Sequence, residues 1–163
     1  MKRFLIRFAG LAALTVVLSG CSIDGRFYPV QGALASQNPA PFYVARFTAH
    51  PPTSFTVSGV IAGEPVKGTL VCTLPAPKNP PNVPVPAPMT SQWDAIYGAG
   101  AYTAHVLGSG QDARGVLTSA SGTTYQVEIH TPISARSGDA AVGVVIIQGV
   151  AQDNKGNLFK VAF

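Results

Sequence analysis

Apolar and polar residues alternate over short segments of the chain, which is the period of a β-strand that buries one face. The clearest alternation covers residues 123–131. One face of this segment carries Thr123, Tyr125, Val127 and Ile129, and the other carries Gln126, Glu128 and His130. Such a pattern is typical of an antiparallel sheet with one side against a core and the other in water. We therefore expect the second set to form a solvated polar face.

Similar segments, separated by Gly, Pro, Asn and Asp, recur along the rest of the chain. They predict strands at residues 28–34, 42–49, 55–61, 66–74, 102–107, 114–119, 140–150 and 158–163. Pro29 favours an edge position for the first of them, because proline has no N–H to donate to a neighbouring strand. The expected fold is all-β: a single small antiparallel β-sandwich or β-barrel of about eight strands with one short helix.

The short helix is predicted at residues 92–97, where the apolar spacing changes to that of a helix. The residues that would cap and stop it are Thr90 or Ser91 at its start and Gly98 at its end. Trp93, Ile96 and Tyr97 share one helical face. We expect this face to pack against the core.

A proline-rich segment precedes the helix. Residues 75–88 hold seven prolines in fourteen positions, which excludes a central strand or a helix and favours polyproline II. The simplest interpretation is a stiff connector between two halves of a sheet. A docking site for a partner is the alternative.

The N-terminus has the organisation of a secretory signal. Lys2, Arg3 and Arg7 form a basic region, and residues 8–18 follow as 11 uncharged residues, too short to span a bilayer. The sequence Leu18-Ser19-Gly20-Cys21 comes next and resembles the lipobox of bacterial lipoproteins. That resemblance implies cleavage before Cys21, diacylglycerylation of its thiol and acylation of the new N-terminus.

The resemblance divides the chain into three parts. Residues 1–20 form the signal peptide, residues 21–26 the lipidated N-terminus with a short tether, and residues 27–163 the β-rich domain. By resemblance to the sorting of enterobacterial lipoproteins, in which an aspartate after the cysteine signals retention in the inner membrane, Ser22 favours delivery to the outer membrane, anchored at its periplasmic face. Acyl chains on Cys21 would hold the protein on the membrane almost permanently, because each buried methylene contributes about 0.8 kcal/mol.

Net charge gives no support for nucleic-acid binding. The formal charge is +4, but without the three basic residues of the signal peptide eight basic residues remain against seven acidic ones. They form no basic cluster that could neutralise a phosphate backbone. We expect no nucleic-acid partner.

Residues able to support chemistry are scattered. His50, His105 and His130 lie far apart in the sequence, and Glu128 with His130 supplies only two ligands, so neither a metal site nor a cofactor is predicted. Cys72 is interpreted as a small buried hydrophobic residue, with an intermolecular disulfide or a reactive thiol as alternatives.

Asp94, which follows Trp93, is interpreted as compensating the helix dipole. We expect no enzymatic activity. An enzyme would need titratable groups that converge in one cleft, such as Asp94 with His105.

Two further resemblances bear on function. The sequence Ser121-Gly122-Thr123-Thr124-Tyr125 is similar to the Ser-Gly-x-x-Tyr loop of bacterial lysozyme inhibitors, which implies that Ser121 and Tyr125 would contact a lysozyme. Residues 28–32 (YPVQG), 93–100 (WDAIYGAG) and 149–157 (GVAQDNKGN) resemble recurring signatures of small uncharacterised proteobacterial lipoproteins. The second resemblance spans nearly the whole mature domain and implies no particular activity.

The expected function is that of a lipid-anchored envelope lipoprotein that acts as a non-catalytic binding or accessory protein for another envelope component. The alternatives are a carrier of a small apolar ligand inside a β-barrel and a lysozyme-inhibitor-like protein. Candidate contact residues for a partner or ligand are Trp93, Asp94, Tyr97, Ser121 and Tyr125.

Overall fold

The computed structural model describes residues 21–76, 78–107, 110–132 and 147–163. Within these ranges, eight antiparallel strands pair in sequence order, and the last pairs with the first to close a barrel. The strands are β1 (Ser22–Gln31), β2 (Tyr43–His50), β3 (Ser54–Ile61), β4 (Glu64–Leu74), β5 (Gln111–Ser119), β6 (Thr124–Thr131), β7 (Gln148–Asp153) and β8 (Leu158–Ala162). The predicted all-β fold is confirmed, and its architecture is a barrel. The signal peptide lies outside the described residues.

Side chains from all eight strands fill the barrel interior. Phe159 lies at the centre of an aromatic group, with its ring centroid 6.0 Å from that of Tyr125, 6.3 Å from Phe27 and 6.5 Å from Tyr43. Phe47 extends the group from Phe27, at 6.3 Å. An eight-stranded barrel is just wide enough for side chains to fill it. The interior is therefore the main hydrophobic core.

The barrel has two ends of different construction. Successive strands run in opposite directions, so β1 begins at the same end at which β2, β4, β6 and β8 finish. We call this the Cys21 end, because Cys21 directly precedes β1. The opposite, far end carries residues 32–42 and three short turns at residues 62–63, 120–123 and 154–157.

The connection from β4 to β5 packs on the outside of the barrel. Its proline-rich part crosses β5 and β6, where the Arg114 guanidinium donates to the Pro86 carbonyl (3.4 Å) and the Gln126 amide to that of Ala87 (2.8 Å). Helix α1 (Thr90–Tyr97) and a π-helical turn (Tyr102–Val106) follow. We call residues 89–106 the cover. Because β4 and β5 are neighbours in the sheet, the proline-rich segment does not join two separate halves.

The helix prediction is correct in position and wrong in two details. Neither Thr90 nor Ser91 caps the helix, which begins after Met89 without a side-chain cap. The apolar face packs against the outer wall of the barrel, around Val150, and not into the main core. No described helix has the length and apolar character needed to cross a membrane.

Three of the predictions from the sequence need correction. Residues 22–26, expected as a tether, belong to β1, whose pairing with β2 begins at Ser22. Residues 102–107 form the π-helical turn, because Tyr102 and Val106 share a helical face as readily as a strand face.

Pro29 lies in a closed barrel, but β2 stops pairing at Phe27, so Pro29 pairs with β8 alone beside a β-bulge. The strand predicted at residues 140–150 is described only from residue 147 onwards, where β7 begins at Gln148.

Candidate functional site on the covered outer wall

Four ionisable side chains meet on the outer wall of β5 and β6. Asp112 and Arg114 alternate along β5, and the register places His130 opposite Asp112 and Glu128 opposite Arg114. Asp112, Glu128 and His130 are almost completely buried, and Arg114 is largely so. The prediction that Glu128 and His130 face water is therefore wrong, because the cover lies over this part of the wall.

The cover is held by apolar packing and by a few polar contacts. Met89, Trp93, Tyr102 and Val106 form a second apolar cluster with Val150 of β7. The Gln92 side chain bonds to that of Gln152 at 2.7 Å, and the Tyr97 hydroxyl donates to the Gly149 carbonyl at 3.2 Å. The aromatic rings of Trp93 and Tyr97 stack at 5.1 Å. These contacts hold the cover against β7, and the edge contact of Trp93 with His130, at 6.4 Å, extends it to β6.

Glu128 supplies the hydrogen-bond acceptor that the start of α1 lacks. Its Oε2 accepts the Met89 backbone N–H at 2.7 Å, so a barrel carboxylate takes the role of the missing cap. Burial and, to a smaller extent, the neighbouring Asp112 charge raise the pKa of Glu128 to about 7. The Trp93 indole N–H faces this carboxylate and opposes the rise, without the geometry of a hydrogen bond.

Asp112 is the second carboxyl group of the site. Burial raises its pKa, although the Thr73 hydroxyl donates to it at 2.9 Å and the Arg114 guanidinium lies 3.4 Å away. One oxygen of Asp112 and one of Glu128 have no hydrogen-bond partner among the described residues. Two buried carboxyl groups that share one guanidinium cannot both ionise easily. We infer that the pair holds a proton near neutral pH.

His130 lies at the edge of this group, where the cover leaves a pocket. Neither of its ring nitrogens has a hydrogen-bond partner in the described part of the chain. Burial lowers its pKa, His105 acts in the same direction, and Asp112 opposes both. A neutral imidazole has one donor and one acceptor to offer.

The pocket has a volume of about 330 Å³. Its lining residues are Trp93, Tyr97, Ala101, His105, His130, Pro132 and Gln148. Aromatic walls with a few polar groups are typical of a site for a small ligand or for one side chain of a partner. No group of three or more His, Cys, Asp or Glu residues suited to a metal ion occurs among the described residues.

The five candidate contact residues separate into different places. Trp93 and Tyr97 line the pocket. Asp94 does not line it, because its carboxylate accepts the Tyr102 backbone N–H at 3.1 Å and joins the helix to the π-helical turn. It also lies beyond the first turn of α1, so it does not compensate the helix dipole as predicted. Ser121 is in a far-end turn, where its hydroxyl donates to Glu64.

Tyr125 is buried inside the barrel, where it packs against Phe159. It cannot enter a lysozyme cleft, so the contact role implied for it by the Ser-Gly-x-x-Tyr resemblance does not hold. Cys72 is also part of the interior cluster, and burial raises the pKa of its thiol. Its surroundings agree with the interpretation of a small hydrophobic residue. Cys21, in contrast, is exposed.

Sequence reasoning missed Asp112 and Arg114 and misplaced Glu128 and His130. The available signal was the cross-strand pairing, since residues 111–119 and 124–131 form a hairpin that brings the four side chains together. Nothing in the alternation shows which wall of a barrel a 36-residue connection will cover. The chain matches no protein-family model, no curated protein and no solved structure.

Proposed function

We propose that this protein is a lipid-anchored binding protein of the bacterial outer membrane, and that it binds its partner or ligand in the pocket beside the cover. Anchoring would occur through acyl chains on Cys21. That residue is exposed and directly precedes β1, so the anchor would connect to the barrel without a tether. The protein acts by binding, not by catalysis.

The observation that carries the proposed binding site is the position of His130. Its imidazole is buried at the pocket wall, and neither ring nitrogen has a hydrogen-bond partner among the described residues. A buried polar group without a hydrogen bond destabilises a fold by about 1–3 kcal/mol. His130 has two such atoms among the described residues, and it lies between aromatic walls. A ligand that gives a donor or an acceptor to His130 would remove that cost on binding.

The barrel interior does not favour the carrier alternative. Phe27, Phe47, Tyr125 and Phe159 occupy the space that an enclosed apolar ligand would need. The pocket instead lies outside the barrel, between the cover and the strand ends of β6 and β7. Binding is therefore assigned to the outer wall.

The first experiment tests the anchor. Cells that express the full chain are grown with a clickable palmitate analogue, and the wild type is compared with Cys21→Ala. We expect label and membrane association for the wild type and neither for the variant. An unlabelled wild-type chain would refute the lipid anchor.

The second experiment tests the pocket in intact cells. A photo-crosslinking amino acid replaces Gln148, which is exposed at the pocket, or Val60, which is similarly exposed on β3. We expect one defined crosslinked species from position 148 and none from position 60. Adding Tyr97→Ala should reduce the product, because that ring forms one wall. Identical products from both positions, or none from position 148, would contradict the proposal.

A further inference from the structure

The Cys21 end of the barrel carries no fully charged side chain among the described residues. Its parts are residues 21–23, 49–55, 72–76, 110–111, 131–132, 147–148 and 162–163, and they contain no Asp, Glu, Lys or Arg. Charged side chains begin one strand position further in, with Asp24 on β1 and Asp112 on β5, each in an ion pair with an arginine. The outermost described positions of the strands at this end are therefore uncharged.

The far end has the opposite character. Glu64 accepts the Ser121 hydroxyl and lies 3.9 Å from the Lys155 ammonium, and Asp153 binds the backbone of its own turn. The hydroxyls of Ser119 and Ser121, together with Lys155, lower the pKa of Glu64. The far end therefore carries the charged and hydrogen-bonded side chains that suit contact with water.

Exposed apolar side chains occur on opposite sides of the uncharged rim. Ile23, next but one to Cys21, is 39% exposed on β1, and Leu74 is 40% exposed at the end of β4. In an eight-stranded barrel, β1 and β4 are three strands apart, close to half of the circumference. Pro51 and Pro52 lie exposed on the rim between them.

We propose that the Cys21 end is a membrane seat: the rim rests in the lipid interface, with Ile23 and Leu74 both in contact with lipid. The proposal rests on the proposed lipid anchor at Cys21, which brings this end and no other to the bilayer. Apolar side chains gain free energy when they are buried in the interface, and the described rim positions bring no charged side chain that would have to be desolvated there.

The membrane seat would determine the orientation of the barrel, and not only its attachment to the membrane. Several acyl chains hold the protein on the membrane whatever its orientation, so the rim determines how the barrel stands. With the rim in lipid, the barrel axis points away from the bilayer and the far end faces the aqueous compartment. Pro132 and Gln148 then place the pocket beside the lipid surface.

The test compares three probe positions on the full lipidated chain in phospholipid vesicles. An environment-sensitive fluorophore is attached to Ile23→Cys, Leu74→Cys or Val60→Cys, and quenching by doxyl-labelled lipid is measured. Val60 is the matched control, because it is 51% exposed but lies on β3 next to the far end. The wild-type chain, in which Cys72 is buried, gives the background.

The membrane seat predicts quenching at both Ile23 and Leu74 that exceeds quenching at Val60 by about twofold or more, since interfacial groups lie about 5–10 Å deep. Quenching at Ile23 alone would overturn the proposal, because it would mean that the barrel hangs freely from its anchor. Absence of the protein from the vesicles would overturn the anchor itself. The two failures are thus distinguishable.

Discussion

Two aspartate–arginine pairs lie on the outer wall of the barrel, and they differ mainly in what lies over them. Asp24 and Arg46 face each other across β1 and β2 with an N–O distance of 3.1 Å, and their side chains are 52% and 64% exposed. Asp112 and Arg114 lie on β5 with an N–O distance of 3.4 Å, and are 2% and 17% exposed.

Burial reverses the electrostatic consequence of the pairing. Asp24 raises the pKa of Arg46, so the exposed pair favours both charges, although water keeps its contribution small. The pKa of Asp112 rises despite its guanidinium, because desolvation outweighs the attraction. The same residue types on the same barrel surface thus have different chemistry under the cover. Maintaining such a group costs stability, which supports a functional role for this wall.

The largest difference should appear when each arginine is replaced. Arg114→Met removes the only guanidinium near Asp112 and Glu128 among the described residues, and we expect a loss of about 3 kcal/mol in the free energy of unfolding. The loss stays near the low end for buried pairs because a carboxyl group can take up a proton. Arg46→Met should cost much less, because water screens its exposed pair with Asp24. Urea unfolding at pH 7 measures both, and equal costs would show that the cover does not isolate its pair from water.

A second prediction concerns Glu128 and pH. Its pKa is raised from 4.5 to about 7, so between those values the folded state binds more protons and the stability falls as the pH rises. Glu128→Gln removes this dependence. The variant should be more stable than the wild type by on the order of 2 kcal/mol at pH 8, with no difference near pH 4. His130, with its lowered pKa, reduces stability as the pH falls below 6.5, but it does so in both proteins.

Glu64→Gln is the matched control at the far end. The pKa of Glu64 is lowered, so its ionised form stabilises the fold above pH 4.5, and this stabilisation is lost as the pH falls through the folded pKa. The variant should therefore be less stable than the wild type at pH 8, which is the opposite sign. Denaturant unfolding of the three proteins between pH 4 and pH 8 makes the comparison. Parallel curves for both variants would contradict the assignment of Glu128 as a buried acid.

The sequence predicts the inner face of this barrel well and its covered outer wall poorly. Their period alone places Tyr125, Val127 and Ile129 on one face of a strand, and all three are in the interior cluster. That inference works because side chains alternate across a strand whatever the rest of the chain does. The solvent exposure of the opposite face has no such local basis.

Exposure of Glu128 and His130 depends on where the cover packs, and tertiary contacts decide that. The cover is attached by Trp93 against the wall, by the Gln92–Gln152 side-chain bond and by the Glu128 contact to Met89. The two hydrogen bonds join residues that are 60 and 39 positions apart in the sequence. The apolar spacing predicts the helix itself, but it does not predict which face of the barrel the helix covers.

The smallest effect predicted for the covered wall should come from Trp93→Phe, which tests how the covered carboxylates are stabilised. A phenyl ring keeps the stacking on Tyr97 and the edge contact with His130, whose centroids lie 5.1 and 6.4 Å from that of Trp93. Because the indole N–H makes no hydrogen bond, its removal should cost only packing, about 1 kcal/mol at pH 5.

The pH dependence of the Trp93→Phe cost makes this prediction specific. The indole N–H lowers the pKa of Glu128, so its loss should raise that pKa and make the variant relatively less stable at pH 8 than at pH 5. Unfolding curves at the two pH values measure the difference. A cost above about 2 kcal/mol at pH 8 would show that Trp93 donates a full charge-assisted hydrogen bond. The cover would then compensate Glu128 with two donors, Met89 and Trp93, and the covered wall would resemble the exposed one more closely than its burial indicates.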